Sequence, residues 1–275
     1  MDSDGRVEPV RLHATDDLRA VGTVEVALIL TKSAKTADAA QGAAQVLAPE
    51  GLAITLQNGL GNLEIIAHHV GAERATLGVT TQGASTRGEP GALYHGGAGL
   101  TYLATRPEIE EQVHTVAALF QQAGLPTEVV DDVTALMWGK LAVNAAINPL
   151  SALLRVPNGA LTGSEWTRRL MRKAAQEVAA VAAAQGIALP FDDPAAQAEK
   201  VAGMTAYNRS SMLQDVLRGT ETEIEVICGA VTRLGEALGV ETPVNRTLYH
   251  LVKALETLYS VRIEKMEQDY PQWRL

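Results

Sequence analysis

The chain changes its grammar near residue 131, and that change limits what it can fold into. Before it, short apolar runs alternate with amphipathic stretches; after it, the pattern is helical to the end. "VEVALILT" (24–31) is a near-continuous apolar run, the signature of a strand buried on both faces. Further strands are predicted at "PVRLHAT" (9–15), "GLAITLQ" (51–57), "ATLGVTT" (75–81) and "TEVVD" (127–131). Helices are predicted over 36–47, 62–70 and 107–123, and a β-hairpin over "GALYHGGAGLTYLA" (91–104). Strands alternating with helices imply right-handed crossovers and a parallel sheet. From 132 the apolar spacing predicts helices over 132–148, 163–186, 193–206, 220–238 and 245–265. Gly186, Gly219 and Gly239 stand where helix ends or turns are expected. The pattern is that of an α/β domain over 1–131 followed by an all-α domain over 132–275, an arrangement that favours ligand sites between domains.

Bulk composition narrows the function classes. A chain of 275 residues, 47% hydrophobic and 20% charged, has the make-up of a globular protein of one large or two ordinary domains. Its net charge of −9 and the lack of a dense Lys/Arg run argue against nucleic acid as a partner. The single cysteine, Cys228, excludes an internal disulfide framework, and its apolar helical surroundings suit core packing. No apolar run has the length of a membrane span, and "MDSDGRVEPVRL" has no signal-peptide character, so a cytoplasmic location is expected. No His/Cys set has metal-ligand spacing: His68 and His69 are adjacent and point to different sides of a helix.

Chemistry concentrates in "WGKLAVNAAINPLSALLRVPNG" (138–159). Lys140, Asn144 and Asn148 recur at four-residue intervals, which aligns them as one stripe on a helix. Lys and Asn usually face water. Here Trp138, Leu141, Ala142, Val143, Ala145, Ala146, Ile147 and Leu150 surround the stripe, and a helix apolar almost all round is buried. Buried polar groups need partners, so the stripe is a candidate ligand-binding face.

Open parallel sheets bind ligands beyond the carboxyl ends of their strands. Three strands end in suitable residues: Thr31-Lys32, Gln57-Asn58-Gly59 and the run Thr80 to Ala84. Lys32 suits a phosphate or ribose; Asn58 suits a nicotinamide-ribose unit or a substrate. "NGLGN" (58–62) is a tight strand-to-helix turn, which by itself implies nothing more. In the second half, "NRSSMLQD" (208–215) places Ser210 and Ser211 where helix N-capping is the ordinary role. "TETEIEVICG" (220–229) places Glu221, Glu223 and Glu225 at an expected helix start, where acids suit the helix dipole. A carboxylate near Lys140 would do more, holding the ammonium charged and oriented for proton donation.

"LQNGLGNLE", "GVTTQGA", "WGKLAVNAAINPLSALL", "PNG", "SSMLQDVLRGTETEIEVICG" and "TPVNRTLYHLV" occur in the order found in the ketopantoate reductase (2-dehydropantoate 2-reductase) family, which the chain resembles over roughly residues 20–265. The resemblance implies a Rossmann-like domain, a helical C-terminal domain, and NADPH-dependent reduction of the 2-keto acid ketopantoate to pantoate on the pantothenate pathway. It makes Lys140 the catalytic proton donor, and Asn144, Asn148, Asn158, Asn208 and Ser211 substrate-contacting residues. It places Lys32, Asn58, Ala84 and Glu223 at the cofactor, with Glu223 also organising the catalytic centre. No metal is implied.

The resemblance is incomplete at one point. The family opens with a strand, a G-x-G-x-x-G/A loop and a helix, and that motif is absent from this sequence. A start upstream of Met1 is the expectation, with impaired cofactor binding in the present form. In a 3-2-1-4-5-6 strand order the lost strands would separate "PVRLHAT" from "VEVALIL", leaving the latter as an exposed apolar edge and raising the odds of a homodimer. Two other functions fit the same residues: reduction of a different 2-keto acid, or an inactive remnant serving only as a binding or dimerisation module.

Overall fold

The computed structural model describes residues 9–86, 91–97 and 99–261. They form two compact units. One comprises the chain up to Gln57 together with Gly61–Val133; the other comprises Asn58–Leu60 and the chain from Thr134 onward.

The first unit is built on a five-stranded sheet of order β1-β2-β3-β6-β7, with a separate two-stranded β4-β5 sheet. Its elements are β1 (Val24–Ile29), α1 (Thr36–Val46), β2 (Leu47–Thr55), α2 (Asn62–Val70), β3 (Ala75–Thr80), β4 (Gly83–Thr86), β5 (Leu93–Gly97), β6 (Thr101–Ala104), α3 (Glu110–Gln122) and β7 (Thr127–Val130). β1, β2 and β3 run parallel, as Rossmann-like strand–helix alternation requires. Alternate residues of β2 serve opposite faces. Ala53 packs with Ala40, Ala43, Ile66 and Val70 of α1 and α2, whereas Leu52 and Ile54 pack with Val113, Val116 and Ala117 of α3. The doubly buried strand is therefore β2.

Three expectations are corrected here. Residues 9–15 form no strand; they are exposed and irregular, because no neighbour within the described residues pairs with them. β1 is not buried on both faces. It lies at the sheet edge, α1 covers one side, and Leu28 and Leu30 remain 42% and 58% exposed. The expected parallel sheet is present, with β1, β2 and β3 parallel and β6 parallel to β7; the single departure is β6, which runs antiparallel to β3. The 91–104 segment is not a hairpin: β5 pairs with β4, and β6 inserts between β3 and β7. Local alternation is satisfied by either pairing, and the partner is chosen by burial (Leu103 is fully buried in the α3-side core).

The second unit is helical, with α4 (Thr134–Leu154), α5 (Glu165–Ala184), α6 (Pro194–Met204), α7 (Ser211–Arg218), α8 (Ala230–Leu238) and α9 (Pro243–Thr257). α4 is the axis of the unit, packed by α5, α6, α7 and α9. It continues six residues beyond the expected end, straight through Pro149, whose surroundings are fully packed. Proline removes one helical donor and crowds the preceding turn; here the burial of Ala145, Ala146, Leu150 and Ala152 on all sides overrides that cost. Gly219 and Gly239 close α7 and α8 in the left-handed region, and Gly186 does the same two residues past α5. The helix expected over 220–238 is divided: Glu225–Gly229 forms a π-turn before α8. The last four residues expected in the final helix, 262–265, lie outside the described residues.

Candidate active site

α4 carries Lys140, Asn144 and Asn148 along one line while Leu141, Ala142, Ala145 and Ala146 fill the core. Gly139 lets this part of the helix approach the 190–191 segment, because a Cβ there would stand 2.9 Å from Pro190. Lys140 is partly buried and Asn148 is only 7% exposed. Burial pushes the Lys140 ammonium down to about 8, and the Glu223 carboxylate opposes that fall. Among the described residues, the side-chain amides of Asn144 and Asn148 have no protein hydrogen-bond partner. The stripe thus presents one cation whose charge burial disfavours and two amides with unspent bonding capacity.

Glu223 is 6% exposed and accepts a hydrogen bond of 3.1 Å from Asn58 Nδ2. Residues on either side hold it in place. Thr222 donates its backbone N–H and its hydroxyl to Glu256 Oε1 at 2.8 and 2.7 Å. The π-turn follows directly, its defining bond running from the Gly229 N–H to the Ile224 carbonyl. Val226 within it accepts the Leu60 N–H at 3.0 Å. Gly59, at φ +84°, lies so close that a Cβ would meet Val226 O at 2.5 Å. Only glycine satisfies both the left-handed backbone and that approach. The "NGLGN" turn therefore has a specific use, which is to seat Asn58 on Glu223.

Of the other expected substrate residues, Asn158 is buried and Asn208 and Ser211 are exposed. The backbone brings the first two together: Asn158 N–H donates to the Asn208 carbonyl at 3.0 Å, and Gly159 N–H to the Ala206 carbonyl at 3.1 Å. Asn158 Nδ2 donates to Thr205 Oγ1, and its Oδ1 is buried without a partner among the described residues. Ser210 is the N-cap of α7, its Oγ accepting the Leu213 N–H, and Ser211 is the first helical residue. The capping role belongs to Ser210 alone, which leaves the Ser211 hydroxyl unused by the cap.

In the first unit, Lys32 is exposed just beyond β1, and Ala84 is exposed on β4 opposite His95. A polar network, buried at Thr36 and Asn62, ties the carboxyl ends of β1 and β2 to the starts of α1 and α2. Gln57 Nε2 donates to Thr31 O at 2.6 Å and to Thr36 Oγ1 at 2.9 Å, and Thr36 in turn donates to Asn62 Oδ1 at 3.0 Å. Thr36 and Asn62 were not singled out by sequence, because an i-to-i+26 pairing leaves no local pattern. Gln57 is consumed by this scaffold. The donor set at these strand ends, a solvent-facing ammonium beside ordered helix starts, fits the anionic portion of a nicotinamide dinucleotide, while no glycine-rich loop supplements it.

Cys228 is fully buried, and burial together with Glu177 pushes its thiol far up, so it is core rather than nucleophile. Among the described residues no group of three His, Cys, Asp or Glu could hold a metal ion, and no helix is long and apolar enough to cross a membrane.

Known proteins of the same design are numerous. Residues 2–108 match the family described as ketopantoate reductase PanE/ApbA, and residues 132–256 match ketopantoate reductase PanE/ApbA C terminal. The 2-dehydropantoate 2-reductase of Archaeoglobus fulgidus is 38% identical over 234 residues, covering 85% of this chain and 77% of its own. The crystal structure of a PanE/ApbA family ketopantoate reductase from Ralstonia eutropha JMP134 superposes with a TM-score of 0.85 at 32% identity, covering 94% of this chain and 84% of that one. A D-mandelate dehydrogenase solved with NADH and anilino(oxo)acetate superposes at 0.81 with 27% identity, covering 87% and 78%. Both halves of the chain, with their sheet, helical unit and site-bearing segments, fall under these matches: the chain belongs to the ketopantoate reductase family of oxidoreductases.

Proposed function

We propose that this enzyme reduces 2-dehydropantoate to pantoate with NADPH, with Lys140 as the proton donor, in the synthesis of pantothenate. The observation that carries the proposal is the Lys140–Glu223–Asn58 arrangement: a partly buried ammonium poised near 8, with an anchored carboxylate opposing its loss of charge. A proton donor works best when its pKa lies near the working pH. The relatives named 2-dehydropantoate 2-reductase supply the substrate class.

The bound nicotinamide would supply the hydride. Lys32, Asn58, Ala84 and Glu223 are the residues assigned to holding the dinucleotide. As the ketone carbon gains hydride, charge develops on its oxygen; Lys140 stabilises that alkoxide and gives it a proton, and the ammonium becomes an amine. Asn144 and Asn148, one and two turns along α4, orient the hydroxyl and carboxylate groups of the substrate, with Asn158, Asn208 and Ser211 completing its contacts. Buried amides with unfilled bonding capacity discriminate strongly, because an analogue lacking the matching group leaves them unpaired.

A second substrate is supported by one observation, the likeness to the D-mandelate dehydrogenase holding anilino(oxo)acetate. An aryl 2-oxo acid is therefore the competitor to test. The deciding assay follows NADPH and NADH oxidation with ketopantoate and with a phenyl-substituted 2-oxo acid. Higher kcat/KM for ketopantoate with NADPH, lost in Lys140→Ala, supports the proposal; preference for the aryl acid or for NADH replaces the substrate or cofactor assignment.

A further inference from the structure

The Lys140–Glu223–Asn58 arrangement depends on a π-turn that the mechanism itself does not use. π-turns are rare and concentrate at functional sites. This one, Glu225–Gly229, is gripped on two sides. Its inner rim meets the Asn58–Leu60 loop through the Val226 carbonyl and the Gly59 approach. Its outer rim is held at Glu225. Tyr249 of α9 donates its phenol hydroxyl to Glu225 Oε2 at 2.8 Å, Arg233 of α8 donates to Oε1, and a second Arg233 nitrogen reaches the Glu225 carbonyl at 3.2 Å. The Tyr249 ring also covers Gly229, where a Cβ would stand 2.9 Å from the ring.

We infer that Tyr249 is a positioning residue for the proposed reaction: by latching Glu225 it holds the π-turn in the register that seats Asn58 and Glu223 beside Lys140. The inference rests on the proton-donor role proposed for Lys140. The charged groups facing Glu225 are Arg233 and Lys253, and Lys253 pairs in turn with Glu256, the acceptor of Thr222. Glu223 therefore lies between two anchors, Thr222 on Glu256 and Glu225 on Tyr249 and Arg233. Removing either anchor gives the carboxylate freedom to move away from the ammonium. A latch of this kind acts on alignment, so its loss lowers turnover more than substrate affinity.

Tyr249→Phe keeps the ring on Gly229 and deletes only the hydroxyl. The expected result is a fall in kcat of about tenfold with KM within about twofold. The Lys140 ammonium, followed by ¹⁵N NMR and assigned with Lys140→Arg, then titrates at lower pH, because Glu223 no longer supports its charge as closely. Arg233→Met, which removes the other leg, moves both quantities the same way and serves alone if Tyr249→Phe does not fold. Ala183→Gly, at an exposed position of α5, lowers Tm through helix propensity and leaves the Lys140 titration in place. An unchanged kcat and an unchanged Lys140 titration in both latch variants overturn the inference, whatever their Tm. The NMR titration needs no turnover, so it judges the latch even if Lys140→Ala proves fully active and the proton-donor role falls.

Discussion

At Lys140 two opposing forces set the chemistry. Burial favours the amine and brings the group from its ordinary 10.5 down to about 8; Glu223 favours the ammonium and limits the fall. With Lys140 as the proposed proton donor, reduction needs its protonated form, so the rate is expected to decline as pH rises through about 8, and the reverse oxidation to gain over the same range. Glu223→Gln removes the supporting charge, which moves the limb to lower pH; a pH–rate profile of the variant reads the shift directly. Lys140→Met should lower kcat by about 10²–10⁴-fold, the usual weight of a positioned acid. The same group leaves a mark on stability. Its folded pKa lies below its unfolded one, so between about 8 and 10.5 the unfolded chain binds more protons and the contribution of Lys140 to stability rises with pH. Denaturant titrations of wild type and Lys140→Met should therefore diverge in favour of wild type across that window, by up to about 3 kcal/mol. Parallel curves would mean that Lys140 is solvated in the folded state.

At the scale of elements, what could be read from sequence and what could not divide along a physical line. Helices whose ends carry local signals were legible: Gly219 and Gly239 take the left-handed conformation at the ends of α7 and α8, where the sequence places helix stops. The apolar face of α4 was legible from spacing, as was the line of Lys140, Asn144 and Asn148. Choices made by distant partners were not. β5 and β6 carry the same alternation, yet one pairs with β4 and the other with β3 and β7. Glu223 finds Asn58 across 165 residues of sequence, and nothing in "TETEIEVICG" distinguishes it from Glu221, which is exposed. Glu177 gives a second case. Its carboxylate accepts the Val244 and Asn245 backbone N–H groups at 2.9 Å each and Asn245 Nδ2 at 2.8 Å, capping α9 from α5. Glu177→Ala leaves the Val244 and Asn245 backbone N–H groups unpaired, while Asn245 Nδ2 keeps its bond to the Ala174 carbonyl, and is expected to cost roughly 2–3 kcal/mol. Gly239→Ala, where open space surrounds the missing Cβ, should cost only the backbone term of about 1 kcal/mol. Urea unfolding with unchanged m-values measures both, and comparable losses for the two would remove the capping role of Glu177.

Over the whole chain, the residues assigned to cofactor and to proton transfer can be tested separately by kinetics. Lys32 and Ala84 belong to the first unit; Lys140, Asn144, Asn148 and Glu223 belong to the second. The sheet edge adds a hazard of its own, since Leu28 on β1 and Leu30 just beyond it present exposed apolar surface beside unpaired strand groups among the described residues. Leu28→Lys is expected to reduce concentration-dependent self-association in sedimentation runs, so the kinetic comparison is best made in that background. Lys32→Ala should weaken NADPH binding by calorimetry, by about 1–2 kcal/mol if the ammonium meets a phosphate, and leave the alkaline limb at its wild-type pH. Lys140→Ala should do the opposite, lowering kcat by about 10²–10⁴-fold while NADPH affinity holds. Because the two lysines act on separate quantities, the double variant should show the sum of their effects. Glu223 is assigned to both tasks. Glu223→Gln should therefore move NADPH affinity and the pH limb together, and a variant that moved only one would confine Glu223 to a single role.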